Sequence, residues 1–210
     1  MKIKKIFKNP YLWAFFMGIA SLHIIKHCAL LRRQAPEPMV DVPAWNLLNQ
    51  QGEKFGQQDL LGKIVIADFF FTSCPSICPK LTEAMKELHT RFLANSSDVA
   101  FLSISVDPET DTPERLRSFI AQHDLNYPNW HFLTGTKAEV YDVVVEKMRI
   151  HMGERANLKD SQEIYDIPHL AHIALFDQEG RLRALFKTDS IELSALVRGA
   201  KFLLEKAKKP

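Results

Sequence analysis

Cysteine is scarce in this 210-residue chain: only three occur, too few for a disulfide scaffold. An excess of one charge is missing as well, with 27 Lys and Arg against 25 Asp and Glu and a net charge of +2. No basic stripe interleaved with aromatics tracks a phosphate backbone, which argues against nucleic acid as a partner. Internal repeats and low-complexity tracts are absent, so the chain is not a solenoid or a disordered tail. What remains is an ordinary globular composition, 46% hydrophobic and 25% charged, long enough for one substantial core.

The amino end is the membrane-like part. Lys2, Lys4, Lys5 and Lys8 precede an apolar run from Pro10 to Ile25 that is interrupted by His23, and Lys26, His27 and a short apolar patch lead to Arg32 and Arg33. Extended to Leu31 with Lys26 snorkelling, the run reaches the ~20 residues that span a bilayer. Residues 1–33 therefore read as an uncleaved signal-anchor with the lysines holding the N-terminus inside. A cleaved signal peptide is the rival, but the aromatic Trp13, Phe15 and Phe16 and the lack of a clean small-residue site speak against it. Cys28 follows Lys26 and His27, which is not the setting of a lipidated cysteine, and reads as a membrane-edge residue. Two prolines in residues 34–39 mark a linker, and residues 40–207 form the domain.

Within that domain, Trp45 to Phe55 reads as a hairpin around Gly52, and Ile64 to Phe70 as a strand buried on both faces. Leu81, Met85, Leu88 and Phe92 recur at helical spacing over Lys80 to Phe92, with His89 assigned to the solvated face. Val99 to Val106 is a second buried strand, Thr112 and Pro113 open a helix, and His131 to Thr134 is a short strand. Thr136 and Glu139 form a capping box for a helix through Val143 to Met148. Ile150 to Asp166 has no clear period and reads as a long loop or irregular hairpin. His172 to Asp177 and Arg181 to Phe186 flank the turn at Gly180, and Asp189 with Glu192 opens a last helix. Strands alternating with helices argue an α/β sandwich closed by an antiparallel hairpin.

The chemistry concentrates where the first long strand runs into Cys74 and Cys78. A strand-to-helix turn aims backbone N–H groups at those sulfurs and favours thiolate. Four residues apart on one helical face, the pair can close a disulfide or grip one soft metal ion, and spacing does not choose between them.

A two-cysteine turn between strand and helix, in a domain closed by a hairpin and a helix, resembles the thioredoxin fold. Within that superfamily Cys74-Pro-Ser-Ile-Cys78-Pro79, the stretch from Asp107 to Pro113, the triplet Leu133-Thr134-Gly135 and a histidine before the closing hairpin resemble the SCO/SenC family. The resemblance covers roughly Val42 to Leu204. It implies a membrane-anchored copper-handling protein that delivers copper, as Cu(I) or Cu(II), to the binuclear site of cytochrome c oxidase. It also implies metal ligation by Cys74, Cys78 and His169, with an oxidase copper-site subunit or another copper chaperone as partner and the domain in the periplasm or an equivalent outer compartment. His172 is then a strand histidine or a partner to the ligand. Where the family carries an acidic residue directly before its histidine, this chain has Pro168, with Asp166 three places back.

Two thiolates and an imidazole suit copper in either oxidation state and leave a position open for transfer. A structural zinc would want a fourth ligand, which is not evident. Met148, His151 and Met152 offer soft donors, but methionine at helical spacing is usually packing. Asp107 and Asp111 read as turn and cap residues. The alternative function is a thiol-disulfide oxidoreductase whose Cys74 or Cys78 reduces the cysteines of a copper-site partner; the Ile167-Pro168 pair resembles the proline beside the dithiol of such reductants. A peroxide-reducing thiol enzyme is less favoured, because the sequence supplies no obvious arginine near Cys74.

Overall fold

The structure, a computed structural model, describes residues 13–22, 36–74, 78–93, 97–152, 156–157, 165–166 and 172–207. The chain divides into two compact units, Met1–Gln34 and Ala35–Pro210. In the first, residues 13–22 are helical, with Trp13, Phe15, Phe16, Met17, Ile19 and Leu22 exposed. Among the described residues no helix is long and apolar enough to cross a membrane.

The second unit is built on a seven-stranded mixed sheet. Its strands are β1 (Asn46–Asn49), β2 (Lys54–Gly56), β3 (Ile64–Phe70), β4 (Val99–Ser105), β5 (Trp130–Thr134), β8 (Ile173–Phe176) and β9 (Leu182–Phe186), in the order β2-β1-β5-β4-β3-β8-β9. The two-residue strands β6 (Ala156–Asn157) and β7 (Tyr165–Asp166) pair with each other antiparallel. β3, β4 and β5 run parallel, while β8 lies antiparallel against β3. Every residue of β3 and β4 is buried, as continuous apolar runs covered on both faces require.

Parallel neighbours need crossovers, supplied by helix α1 (Cys78–Arg91) between β3 and β4 and α2 (Pro113–Gln122) between β4 and β5. Both crossovers step in the same direction, so a common right hand puts both helices on one face. The packing agrees: on α2, Phe119 meets Phe70 at 5.4 Å between ring centres, and on α1, His89 meets Phe101 at 5.1 Å. α2 starts as its sequence dictates, with the Thr112 hydroxyl accepting from Arg115 N and Pro113 at the first position. α4 (Ser190–Ala207) is capped by Asp189, whose Oδ1 accepts from the amides of Ile191 and Glu192.

Three local readings are corrected. His89 is buried rather than solvated: it packs on Tyr127 and Trp130 and bonds Asn129 Oδ1 at 2.9 Å. It lies next to Leu88 and one turn after Met85, inside a stripe wider than the four residues that reveal it. The helix carrying it begins at Cys78, not Lys80, so one of the cysteines is its first residue. The Thr136–Glu139 box does open a helix, α3 (Lys137–Tyr141), but it ends at Tyr141 and continues as a π-helical turn, Asp142–Lys147. The extra residue per turn brings Met148 into the core beside Trp45, Leu60, Val65 and Phe176.

Candidate metal centre

β3 ends at Phe70, and Phe71, Thr72, Ser73 and Cys74 leave the sheet in a turn closed by Cys74 N to Phe71 O at 3.2 Å. Cys74 is half-buried. Cys78 is the first residue of α1, where the first amides have no partner within the helix. The side chain of Cys78, and His169, Pro168 and Cys28 altogether, lie outside the described residues. Among the described residues no group of three or more His, Cys, Asp or Glu is placed to hold a metal ion.

The turn is fastened from a distant part of the chain. Asp111, fully buried, accepts from Thr72 Oγ1 at 2.6 Å, from Thr72 N at 3.0 Å and from Ser105 Oγ at 2.6 Å. Burial pushes its carboxyl up from the ordinary range while these hydrogen bonds pull it back. Asp107 makes the turn that sets Asp111, its carbonyl accepting from the amides of Thr110 and Asp111. The stretch 107–113 is thus a turn and a cap, as read from sequence, and also the anchor of the cysteine turn, which was not read.

A cation completes the anchor. Arg115 donates from Nε to Thr72 Oγ1 at 3.0 Å and from Nη2 to Ser73 Oγ at 3.3 Å, holding the two residues that precede Cys74. This is the arginine missing from the sequence reading; it lies 43 residues from Thr72 and no local pattern reveals it. Beside the thiol is a cavity of about 200 Å³ lined by Phe71, Thr72, Cys74, Thr82, Glu83, Phe119 and His123.

Strand β8 brings a late part of the chain to the same place. Its register against β3 pairs Ala67 with Ala174, and Ile173 is its first residue. Because the two strands are antiparallel, the chain enters β8 at the end of the sheet where β3 gives way to the cysteine turn. His172, at that entry, has a buried Nδ1 with no hydrogen-bond partner among the described residues. Met148 is core, His151 is exposed and Met152 is half-buried against the core, so packing accounts for both methionines.

One further group was missed. Asp68 stands in β3 on the face that α1 and α2 cover, and desolvation raises its carboxyl to about 7 although the Ser103 hydroxyl bonds it. Its Oδ1 has no hydrogen-bond partner among the described residues, and Ser103 Oγ accepts from Trp130 Nε1 at 3.0 Å. The available signal was the single acid in the run from Ile64 to Phe71.

Comparison with known proteins gives a consistent picture. The family model described as SCO1/SenC matches residues 34–201. Over 132 residues the chain is 35% identical to a SCO1 protein homolog of Bacillus subtilis (strain 168), spanning 62% of this chain and 68% of that protein. The solved structure of Bradyrhizobium japonicum ScoI with copper bound is similar at a TM-score of 0.66 and 27% identity, over 77% of this chain and 99% of that one. A structure of BsSco, a member of the Sco family of cytochrome c oxidase assembly proteins in which a disulfide switch was identified, is similar at a TM-score of 0.65 and 27% identity. That match covers 84% of this chain and 99% of the other.

Proposed function

The chain belongs to the SCO1/SenC family, and from that membership we propose that it carries copper as cargo and hands it to the binuclear copper site of cytochrome c oxidase during assembly. Cys74, Cys78 and His169 hold the ion. Two thiolates and one imidazole match copper's preference for soft and intermediate donors, and three ligands leave a position through which an acceptor can enter. The observation that supports the reading is the register of β8 on β3, by which β8 starts, at Ile173, at the end of the sheet where β3 gives way to the turn that bears Cys74. Residues 1–33 anchor the chain in the membrane with the N-terminus inside, and the domain from about Val40 faces the periplasm or an equivalent outer compartment.

The second reading is thiol-disulfide exchange with a copper-site partner. It is favoured by the half-buried Cys74 thiol beside the Arg115-held turn and by Cys78 at a helix N-terminus. The two readings separate at His169, which metal capture needs and thiol exchange does not. Titrating the reduced full chain in detergent with Cu(I) against a chelating competitor is expected to give one tightly held copper. His169→Ala is expected to weaken it at least about 100-fold while the dithiol still oxidises. Wild-type affinity in that variant would move the assignment to the reductase.

A further inference from the structure

The proline-punctuated stretch before Val42 reads as a linker, yet its described part is bound to the domain. The amides of Met39 and Val40 both donate to Leu182 O, at 2.7 and 3.3 Å, and Leu182 N returns a bond to Val40 O at 2.9 Å. Together they make an antiparallel bridge on β9, the last strand of the sheet. Further back, Arg183 Nε donates to Pro36 O at 2.6 Å. That arginine is itself fixed: Nη1 donates to the buried Asp177 Oδ2 at 3.2 Å, and its side chain is only 8% exposed. A buried guanidinium has to satisfy its fork of donors, and Pro36 O is one of the acceptors it uses. Helix α4 makes room on the other side. Gly199 lies buried inside that helix, where glycine is a poor helix former, and a Cβ there would stand 3.4 Å from Pro36 Cδ. A side chain longer than alanine's at this position would displace the Pro36 ring.

We propose that residues 36–40 are a releasable strap, locked by Arg183, that sets how far the domain travels from residues 1–33. Attachment that does not depend on the strap begins at Val42, which is buried and whose carbonyl accepts from Gln57 Nε2 at 3.0 Å. An extended chain covers at most about 3.5 Å per residue, so three residues from Arg33 to Pro36 reach about 10 Å and nine from Arg33 to Val42 about 30 Å. Docked, the strap shortens the tether roughly three-fold and keeps the domain concentrated near partners held at the same membrane. Released, it lets the domain reach a copper donor or acceptor that stands further out. Three backbone bonds at a sheet edge and one side-chain bond hold it, and Glu37, Pro38 and Met39 are exposed, so it opens without unfolding the core. Pro36 and Pro38 restrict the released chain, which lowers the entropy lost on docking again. The consequence for reach rests on the reading of residues 1–33 as an anchor; the strap itself does not.

The test uses the full chain carrying Cys28→Ser, Cys74→Ser and Cys78→Ser, which removes all three cysteines. A nitroxide is attached at Glu37→Cys, and its motion is read by electron paramagnetic resonance in detergent and in phosphatidylcholine vesicles. The expected result is a label that tumbles with the domain in the parent and moves at least about three times faster in Arg183→Met, with circular dichroism showing the sheet intact. Met39→Pro should have the same effect. It removes a strap amide while leaving Asp177 and Arg183 as they are, so the outcome does not hang on how Arg183→Met folds. A fluorophore at Ile191→Cys in the same background, an exposed position, reports reach. Its energy transfer to acceptor lipids should fall by at least about a quarter in both variants. A label at residue 37 that moves as fast in the parent as in the two variants overturns the strap. Unchanged energy transfer after release overturns its role in reach. A chain that fails to float with the vesicles refutes the anchor and the reach limit together, while the motion of the label in detergent still judges the strap.

Discussion

Asp111 Oδ1 lies 2.6 Å from Thr72 Oγ1, although 39 residues separate the two in the chain. Thr72 is two places before Cys74, so this bond and its companions fix the start of the cysteine turn to the loop that leads into α2.

Removing that anchor has two measurable consequences. Asp111→Ala strands the Thr72 amide and leaves the Thr72 and Ser105 hydroxyls to find other acceptors. Each buried unsatisfied donor costs about 1–3 kcal/mol, so urea unfolding should show a loss of about 3 kcal/mol. The copper affinity of the reduced protein should fall with it, because the ligand turn is no longer pre-organised. A loss below about 1 kcal/mol with copper affinity unchanged would show that the turn holds itself.

Asp68 predicts how stability depends on pH. Its carboxyl is raised from 3.8 to about 7 in the folded chain, mainly by burial. Between those values the folded state holds a proton that the unfolded state has released, so stability declines as pH rises through the window and levels off above about 7. At about 1.4 kcal/mol per unit the contribution is on the order of 4 kcal/mol. Asp68→Asn should flatten the decline between pH 4 and 7 and leave the variant the more stable protein at about pH 8, as read from urea unfolding at each pH. An unchanged slope in the variant would place the proton elsewhere.

His89 should behave as a core residue. His89→Ala removes a ring packed between Tyr127, Phe101 and Trp130 and leaves Asn129 Oδ1 without its donor. The expected cost is about 2–4 kcal/mol in unfolding experiments, with one copper still bound per reduced chain. Loss of copper binding in a variant that remains folded would make His89 part of the metal site after all.

Gly180 tests the closing hairpin. Its φ of +78° falls where only glycine sits without strain, and a Cβ there would also press on the Gln57 side chain. Gly180→Ala should therefore destabilise by about 1–2 kcal/mol in thermal or urea unfolding. No change would mean that the turn relaxes freely and does not hold β8 and β9 in register.

These residues also mark how far the sequence could be read. Elements set by local signals were legible: the apolar run of β3, the Thr112 and Thr136 caps, the Gly180 hairpin and the Asp189 start of α4 depend on neighbours within a turn or two. What escaped depends on distance or on breadth. Thr72 meets Asp111 and Arg115 only once α2 has folded over β3, and nothing within a few residues of either announces the contact. His89 was misplaced because a buried stripe is wider than its most apolar members, and the π-helical turn after Tyr141 because one added residue per turn leaves the composition unchanged. For the candidate site, the sequence placed two cysteines at a strand-to-helix turn. The structure added the charge and the anchoring around them.

The central claim is that two sulfurs and one imidazole share a single ion, and X-ray absorption on the copper-loaded protein reads that ligand set directly. The account predicts two sulfur scatterers and one nitrogen scatterer in the parent, the nitrogen lost in His169→Ala and one sulfur lost in Cys74→Ser or Cys78→Ser. A spectrum unchanged by His169→Ala, or one with a single sulfur in the parent, would contradict it.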